Sequence, residues 1–331
     1  MKNLYFKLKF KLSICLLLVI FTFNAENLLY AQNIPKQFKN KELNCNYNVK
    51  DGMLNGSYQS FYPNGIKKSQ GKFENNNRVE RWTVWDSLGN EICERQYKNA
   101  IEFKQIFPVN LRNFNVLSDR DSNELIKDFI VKEPMIYFYS KIWRIISKEN
   151  NPLLFDNESL SKLLINSILN QKITVFDIAN EEFTIPLTLK QINEKFDFDN
   201  LKINSFKIKE VCFMDTVRKI SEVRILGICP IACLKNDTVN NFGLFWLYYP
   251  DIRKVLSTKK IISKHEFPEL LNMDDIFVFR HFSSKIIKED NTYDKEIKDY
   301  KTGKDIEIEA ERINLKLIEY EHDFWMLFSK N

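Results

Sequence analysis

The chain has 331 residues, 44% hydrophobic and 14% aromatic, which is enough apolar material for a sizeable core and enough length for two domains. Its formal charge is +5, but four lysines and one glutamate within the first 31 residues account for three of those charges, leaving +2. So small an excess gives no support to a nucleic-acid footprint, which needs clustered Lys and Arg on the folded surface.

The chain opens with a legible leader. Lys2 to Lys11 is a positive stretch and Leu12 to Phe23 an apolar one of twelve residues, too short to span a bilayer, where ~20 are needed. Leu-Leu-Tyr-Ala-Gln then offers cleavage after Ala31, although Leu29 is larger than is usual there. Residues 1–31 therefore read as a cleaved signal peptide, with an uncleaved anchor as the alternative. No Cys lies where a lipoprotein would be processed. Five cysteines remain beyond the leader, an odd and sparse set that makes no disulfide framework. Cys229 and Cys233 would face one side of an extended strand roughly 13 Å apart, too far for a bridge, and read as core thiols.

Residues 32–45 are polar and read as a linker. Residues 46–104 contain a repeat of 24 residues. Gly56, Tyr58, Phe61 and Gly65 are answered by Glu80, Trp82, Trp85 and Gly89. Val49, Phe73 and Tyr97 keep the same spacing, as do Asp51, Asn75 and Asn99. A fixed period marks an array of one supersecondary unit, and the turn residues Pro63-Asn64-Gly65 and Gly89-Asn90 make each unit a hairpin. The segment resembles MORN-type repeats of the YwqK group, departing from them at Glu80, where Gly is expected. Its role is contact or scaffolding, or that of a structural cap.

Residues 105–120 read as an irregular linker. From Asp121 a helical pattern is expected over Leu125, Phe129 and Ile130, with Pro134 opening a further helix. Tyr139, Ile142, Trp143 and Ile146 also fall at helical spacing. Asn157-Glu158-Ser159 caps a third helix through Leu169. A short strand follows at Ile173 to Phe176, a helix after Thr188, and a half-buried strand at Ile203 to Ile208. Arg224 to Pro250 holds two apolar runs around a polar loop. These suit two strands at the centre of a sheet. Pro250 opens a helix, and Asp274-Asp275 caps another. The C-terminus reads as one long helix, with Ile306, Ala310, Ile313, Leu317, Tyr320, Phe324 and Leu327 in a heptad stripe that lies on its own domain or pairs with another chain. The fold class expected is α+β, a mixed central sheet with packed helices over 121–331, preceded by the small all-β array.

Catalytic signatures do not surface. None of the three histidines lies in H-E-x-x-H, and no G-x-S-x-G elbow or phosphate-cradling loop is present. Glu321-His322-Asp323 reads as a solvated helix face, because adjacent helix positions point apart. No cofactor or metal site is expected. Trp143-Arg144, Phe279-Arg280-His281-Phe282 and Phe324-Trp325 instead mix the residue types that anchor protein interfaces, though amphipathic burial would use the same residues.

Several blocks, in order, resemble the GldN/PorN family of gliding-motility and type IX secretion proteins. They are Ser140-Lys141-Ile142-Trp143-Arg144, then Lys209-Glu210 with Phe213 and Asp215, then Arg224-Ile225-Leu226-Gly227-Ile228. Phe245 to Arg253, Arg280 to Asp294 and Glu321-His322-Asp323-Phe324-Trp325 complete the set. Val211 and Cys212 depart from the pattern, and the repeats are not part of it. The resemblance spans roughly 121–331 and implies a non-enzymatic periplasmic scaffold, peripheral to the outer membrane. That scaffold self-assembles in a ring with a GldK/PorK-like lipoprotein and meets a GldM/PorM-like motor arm. It makes Trp143, Arg144, Arg224, Trp246, Arg280 and Trp325 the interface candidates. The alternative is a periplasmic protein-binding or immunity-like module acting through the repeats.

Overall fold

The computed structural model describes residues 36–329 except 42, 99–101, 108–119, 128–130, 132–134, 157–158, 218–219 and 262–269. The leader, its cleavage site, Phe129, Ile130 and Pro134 lie outside the described residues, as does the cap at Asn157-Glu158.

Seven strands form the first sheet in sequence order: β1 (Lys36–Asn40), β2 (Cys45–Lys50), β3 (Met53–Phe61), β4 (Lys67–Glu74), β5 (Asn77–Trp85), β6 (Glu91–Tyr97) and β7 (Phe103–Phe107). Every pairing is antiparallel. The sheet begins inside the stretch read as a linker, because Lys36–Asn40 pairs with Cys45–Val49. It also runs past the expected end of the array, through Phe107.

The 24-residue period is written into the backbone. Asp51 and Asn75, Gly52 and Asn76, Gly56 and Glu80, and Gly65 and Gly89 all hold positive φ. Glu80 adopts φ 59° where the preceding unit has a glycine at 115°, a conformation that costs an L-residue about 1–2 kcal/mol. The inward side chains repeat too. Tyr58 and Trp82 are both fully buried, with Phe73 edge-on to Trp82 at 4.9 Å. Gly71 makes room for that indole, since a Cβ there would lie 2.1 Å from Trp82 Cδ2.

The second sheet has the order β13-β12-β11-β8-β15. Its strands are β8 (Ile136–Ser147), β11 (Leu201–Asp215), β12 (Ile220–Leu234), β13 (Asp237–Gly243) and β15 (Lys285–Glu289), with β14 (Leu247–Tyr248) beside β12. A small pair, β9 (Val175–Phe176) and β10 (Pro186–Leu187), stands apart. The fold is α+β, but the sheet expected to be mixed is antiparallel in every described pairing.

On one face lie α1 (Pro152–Phe155), α2 (Ser159–Leu169), α3 (Leu189–Lys195), α4 (Tyr249–Ser257) and α5 (Met273–Val278). They enclose the main core with Ile146, Phe206, Ile208 and Ile228 of the sheet. Thr188 caps α3 and Asn272 caps α5, each through a reciprocal capping box. The long α6 (Lys304–Ser329) covers the other end of that face through Ala310 and Ile313. It then runs on under the first sheet, where Leu315, Phe324 and Trp325 join the array's aromatic core. The heptad stripe is thus consumed within the chain.

Three further sequence expectations are corrected. Residues 136–147 form a strand and not a helix. Burial alternates along its first half, where Tyr137 and Tyr139 are exposed, and both faces are buried only around Trp143; its Ile, Tyr, Phe and Trp content suits a pleated surface. In the central stretch, only the first apolar run is a long strand. The polar residues after it form β13, and Leu244-Phe245-Trp246-Leu247 crosses between the cores, entirely buried. Residues 121–127, expected to be helical, carry only a bridge between Arg120 and Ile126.

Candidate functional site

Strand alternation places Arg144 of β8 and Glu210 of β11 on the helix-covered face, at the boundary between the main core and α6. Arg280 follows α5 and reaches the same carboxylate. Arg144 Nε donates to Glu210 Oε2 at 2.9 Å, while Arg280 Nη1 donates to Oε1 at 2.8 Å and Nη2 to Oε2 at 3.3 Å. Arg144 Nη2 continues to Asn314 Oδ1 of α6 at 3.1 Å. Glu210 is wholly buried. Burial pushes its carboxyl up, and the guanidiniums of Arg280 and then Arg144 more than reverse this, holding it below the ordinary carboxylate range. Arg280 sits at φ 53°, an uncommon conformation for a side chain of its size. A cleft of about 820 Å³ opens beside the cluster, lined by Arg144, Arg280, Cys212, Asn314, Phe138 and Val223 among others. The Cys212 thiol is pushed up to about 12, by burial and then by Glu210, so it is no thiolate nucleophile at neutral pH.

Trp143 points to the opposite face, under the loop that joins β9 to β10. Its Nε1 donates to Glu181 Oε2 at 2.9 Å, and Lys288 Nζ lies 4.0 Å from its ring centroid. Buried Lys209 donates to the Glu181 carbonyl at 2.8 Å and to Glu182 Oε1 at 3.0 Å. Phe183, in the same loop, rests on Gly227, where a Cβ would come within 2.5 Å of its ring. Trp246 shares this cluster, buried, and its Nε1 has no hydrogen-bond partner among the described residues. Arg224 is half-buried, paired with Glu222 at 2.5 Å and 5.2 Å from the Phe213 ring. Tyr249 and Arg253 of α4 both grip Asp274 of α5, at 2.6 and 3.0 Å.

The last block docks the array. The reading of Glu321-His322-Asp323 as a solvated face is overturned, because α6 runs beneath the first sheet. Glu321 and His322 share Arg78, while Asp323 reaches Lys68. Glu321 meets Arg78 at 2.8 Å, Asp323 meets Lys68 at 2.8 Å, and His322 is completely buried between Arg78 and Glu319. Tyr58 Oη donates to Glu319 at 2.6 Å, and Lys68 pairs with the same carboxylate at 2.7 Å. Trp325 stacks under Arg95 at 4.1 Å and Arg78 at 5.4 Å.

The six interface candidates therefore fall in four places. Arg144 and Arg280 converge on Glu210, Trp143 and Trp246 share the opposite face, and Trp325 belongs to the array dock. Arg224 stands apart and keeps the most open position. Sequence reading did not single out Glu319, Lys68 or Arg78 as site residues. The available signal for the central cluster was Lys209-Glu210, a charged pair within an apolar strand, which requires buried partners. Among the described residues no group of three or more His, Cys, Asp or Glu is placed to hold a metal ion. No helix there is long and apolar enough to cross a membrane.

No curated protein matches the chain. A family model described as gliding motility associated protein GldN matches residues 131–326, more than half the chain. That span takes in β8, β11, β12 and α6, and with them every residue of the Arg144–Glu210–Arg280 cluster. The chain belongs to the GldN family, a component of the gliding-motility and type IX secretion machinery.

Proposed function

We propose that the protein is a non-enzymatic scaffold subunit of that machinery, working in the periplasm and exported by the leader that ends at Ala31. In this reading it forms a ring with a GldK/PorK-like outer-membrane lipoprotein and meets a GldM/PorM-like motor arm. The observation that carries the scaffold role is where the family-like blocks spend their polar residues. Arg144 and Arg280 are tied to the buried Glu210 carboxylate, Trp143 and Lys209 to the Glu181–Glu182 loop, and the closing Glu-His-Asp-Phe-Trp block to the array. Such groups fix one arrangement of packed elements, since both Glu210 oxygens are taken up by the two guanidiniums.

The test is a pull-down of the mature chain from a membrane extract of its own cells, with mass spectrometry of the bound proteins. Recovery of a ring lipoprotein with a motor-arm protein is expected. Recovery of a single small soluble partner would sink the ring reading and favour the repeat-mediated binding module. Against that module stands the array's aromatic face, which is already occupied by α6.

A further inference from the structure

Two cations share one carboxylate beside the cleft. Arg144 and Arg280 each pair with Glu210, and with no other carboxylate among the described residues. The cluster therefore keeps one net positive charge. Cys212 beside it adds none at neutral pH, since its thiol is pushed up to about 12. Holding a charge away from water without a counterion is costly. The guanidiniums also have donors to spare. Arg144 donates through Nε and Nη2, and Arg280 through Nη1 and Nη2. Arg144 Nη1 and Arg280 Nε have no partner among the described residues. Unlike Arg78 Nε, neither is shut away from solvent.

The other charges that line the cleft are accounted for. Arg78 pairs with Glu321 at 2.8 Å, and Lys285 with Glu307 at 2.7 Å. Burial pushes the Glu311 carboxyl up, against a hydrogen bond from Tyr47, and Glu311 pairs with neither guanidinium. Glu149 is exposed. Much of the remaining lining is apolar. β11 and β12 contribute Met214 and Val223, α6 contributes Leu317 and Ile318, and the array contributes Phe38 and Val49. Val223 is 37% exposed and Phe38 42%, so apolar surface stands open there. A volume of about 820 Å³ lies within the ~300–1,000 Å³ of small-molecule sites, which are mostly apolar with a few convergent polar groups.

We infer that this cleft binds a small anionic amphiphile, a single carboxylate held by Arg144 and Arg280 on an aliphatic chain that lies against Met214, Val223 and Leu317. The surplus charge selects the head. One carboxylate cancels it, whereas a phosphate monoester would bring nearly two negative charges. The planar guanidinium fork also matches a carboxylate in shape. The apolar lining selects the body. The site is complete within one chain, so it stands or falls separately from the ring reading.

The experiment is calorimetric titration of the purified full chain with decanoate below its micelle concentration, beside acetate and decan-1-ol. Decanoate is expected to saturate one site per chain. Acetate, the head without the chain, and decanol, the chain without the charge, should each bind at least ~10-fold more weakly. Two variants test the place by different means. N314D puts a resident carboxylate where Asn314 Oδ1 now lies 3.1 Å from Arg144 Nη2, and V223W fills apolar space at an exposed position. Each is expected to weaken decanoate at least ~10-fold without lowering the thermal midpoint of the unliganded chain, and should one misfold, the other decides. No saturable binding of decanoate overturns the inference. So does decanol binding as tightly as decanoate, or an unchanged decanoate affinity in a folded N314D or V223W chain.

Discussion

Glu210 shows how one residue carries an arrangement. Its carboxylate is the shared counterion of two buried guanidiniums, so removing it strands both. Glu210→Ala is expected to cost about 3–5 kcal/mol in urea unfolding, because the uncompensated charges stay buried. Arg224→Ala removes a partly exposed pair with Glu222 and a ring contact with Phe213, and should cost less than ~1 kcal/mol. Equal losses for the two would contradict the ranking. Glu80 offers the opposite sign. It stands at φ 59° where the repeat has a glycine. Glu80→Gly should raise stability by about 1 kcal/mol, read as a higher thermal midpoint, with little lost from its exposed pair with Lys72. No gain, or a loss, would show that the pair outweighs the backbone.

Among the elements, α6 packs against both sheets, and His322 is completely buried on it. Burial lowers its pKa from the ordinary value of 6.5; Glu319 opposes this, and Arg78 adds to the lowering. The unfolded chain therefore binds a proton first as pH falls. The stabilisation is fully present above about pH 6.5 and is lost as pH drops through the folded value. Stability measured by denaturant between pH 7 and pH 5 is expected to decline more steeply in the wild type than in His322→Gln. Parallel profiles would exclude His322 as the source. Within the array, Gly71→Ala would push a Cβ into the Trp82 ring and is expected to cost about 1–3 kcal/mol.

At the scale of the molecule, the array is not an appendage. It buries Leu315, Phe324 and Trp325, and salt bridges tie it to α6 through Lys68 and Arg78. A chain lacking residues 36–107 would expose that aromatic end. It is expected to aggregate, or to be cut by protease within α6, at concentrations where the intact chain is neither. A truncated chain as soluble and as resistant as the intact one would show that the array is dispensable for the fold.

Much of this was legible without coordinates. Turn residues and aromatic positions at a fixed period announced the array, because stacked hairpins demand the same side chain at the same place in each unit. The long helix, the capped helix after Thr188 and the helix after Pro250 were legible because their caps and periodicity are local. Periodicity failed at Ile136–Ser147, where apolar residues occupy both strand faces and both are buried around Trp143, and at Phe245-Trp246-Leu247, where a crossing segment is as apolar as a strand. What the sequence by itself determined was the α+β class, the repeat and the family-like blocks, all set by local pattern. Only the tertiary structure decided that Arg144 and Arg280 share Glu210 and that Glu-His-Asp is a dock for the array. Those depend on which residues distant in sequence meet, and strand order and helix placement settle that through packing that no local pattern records.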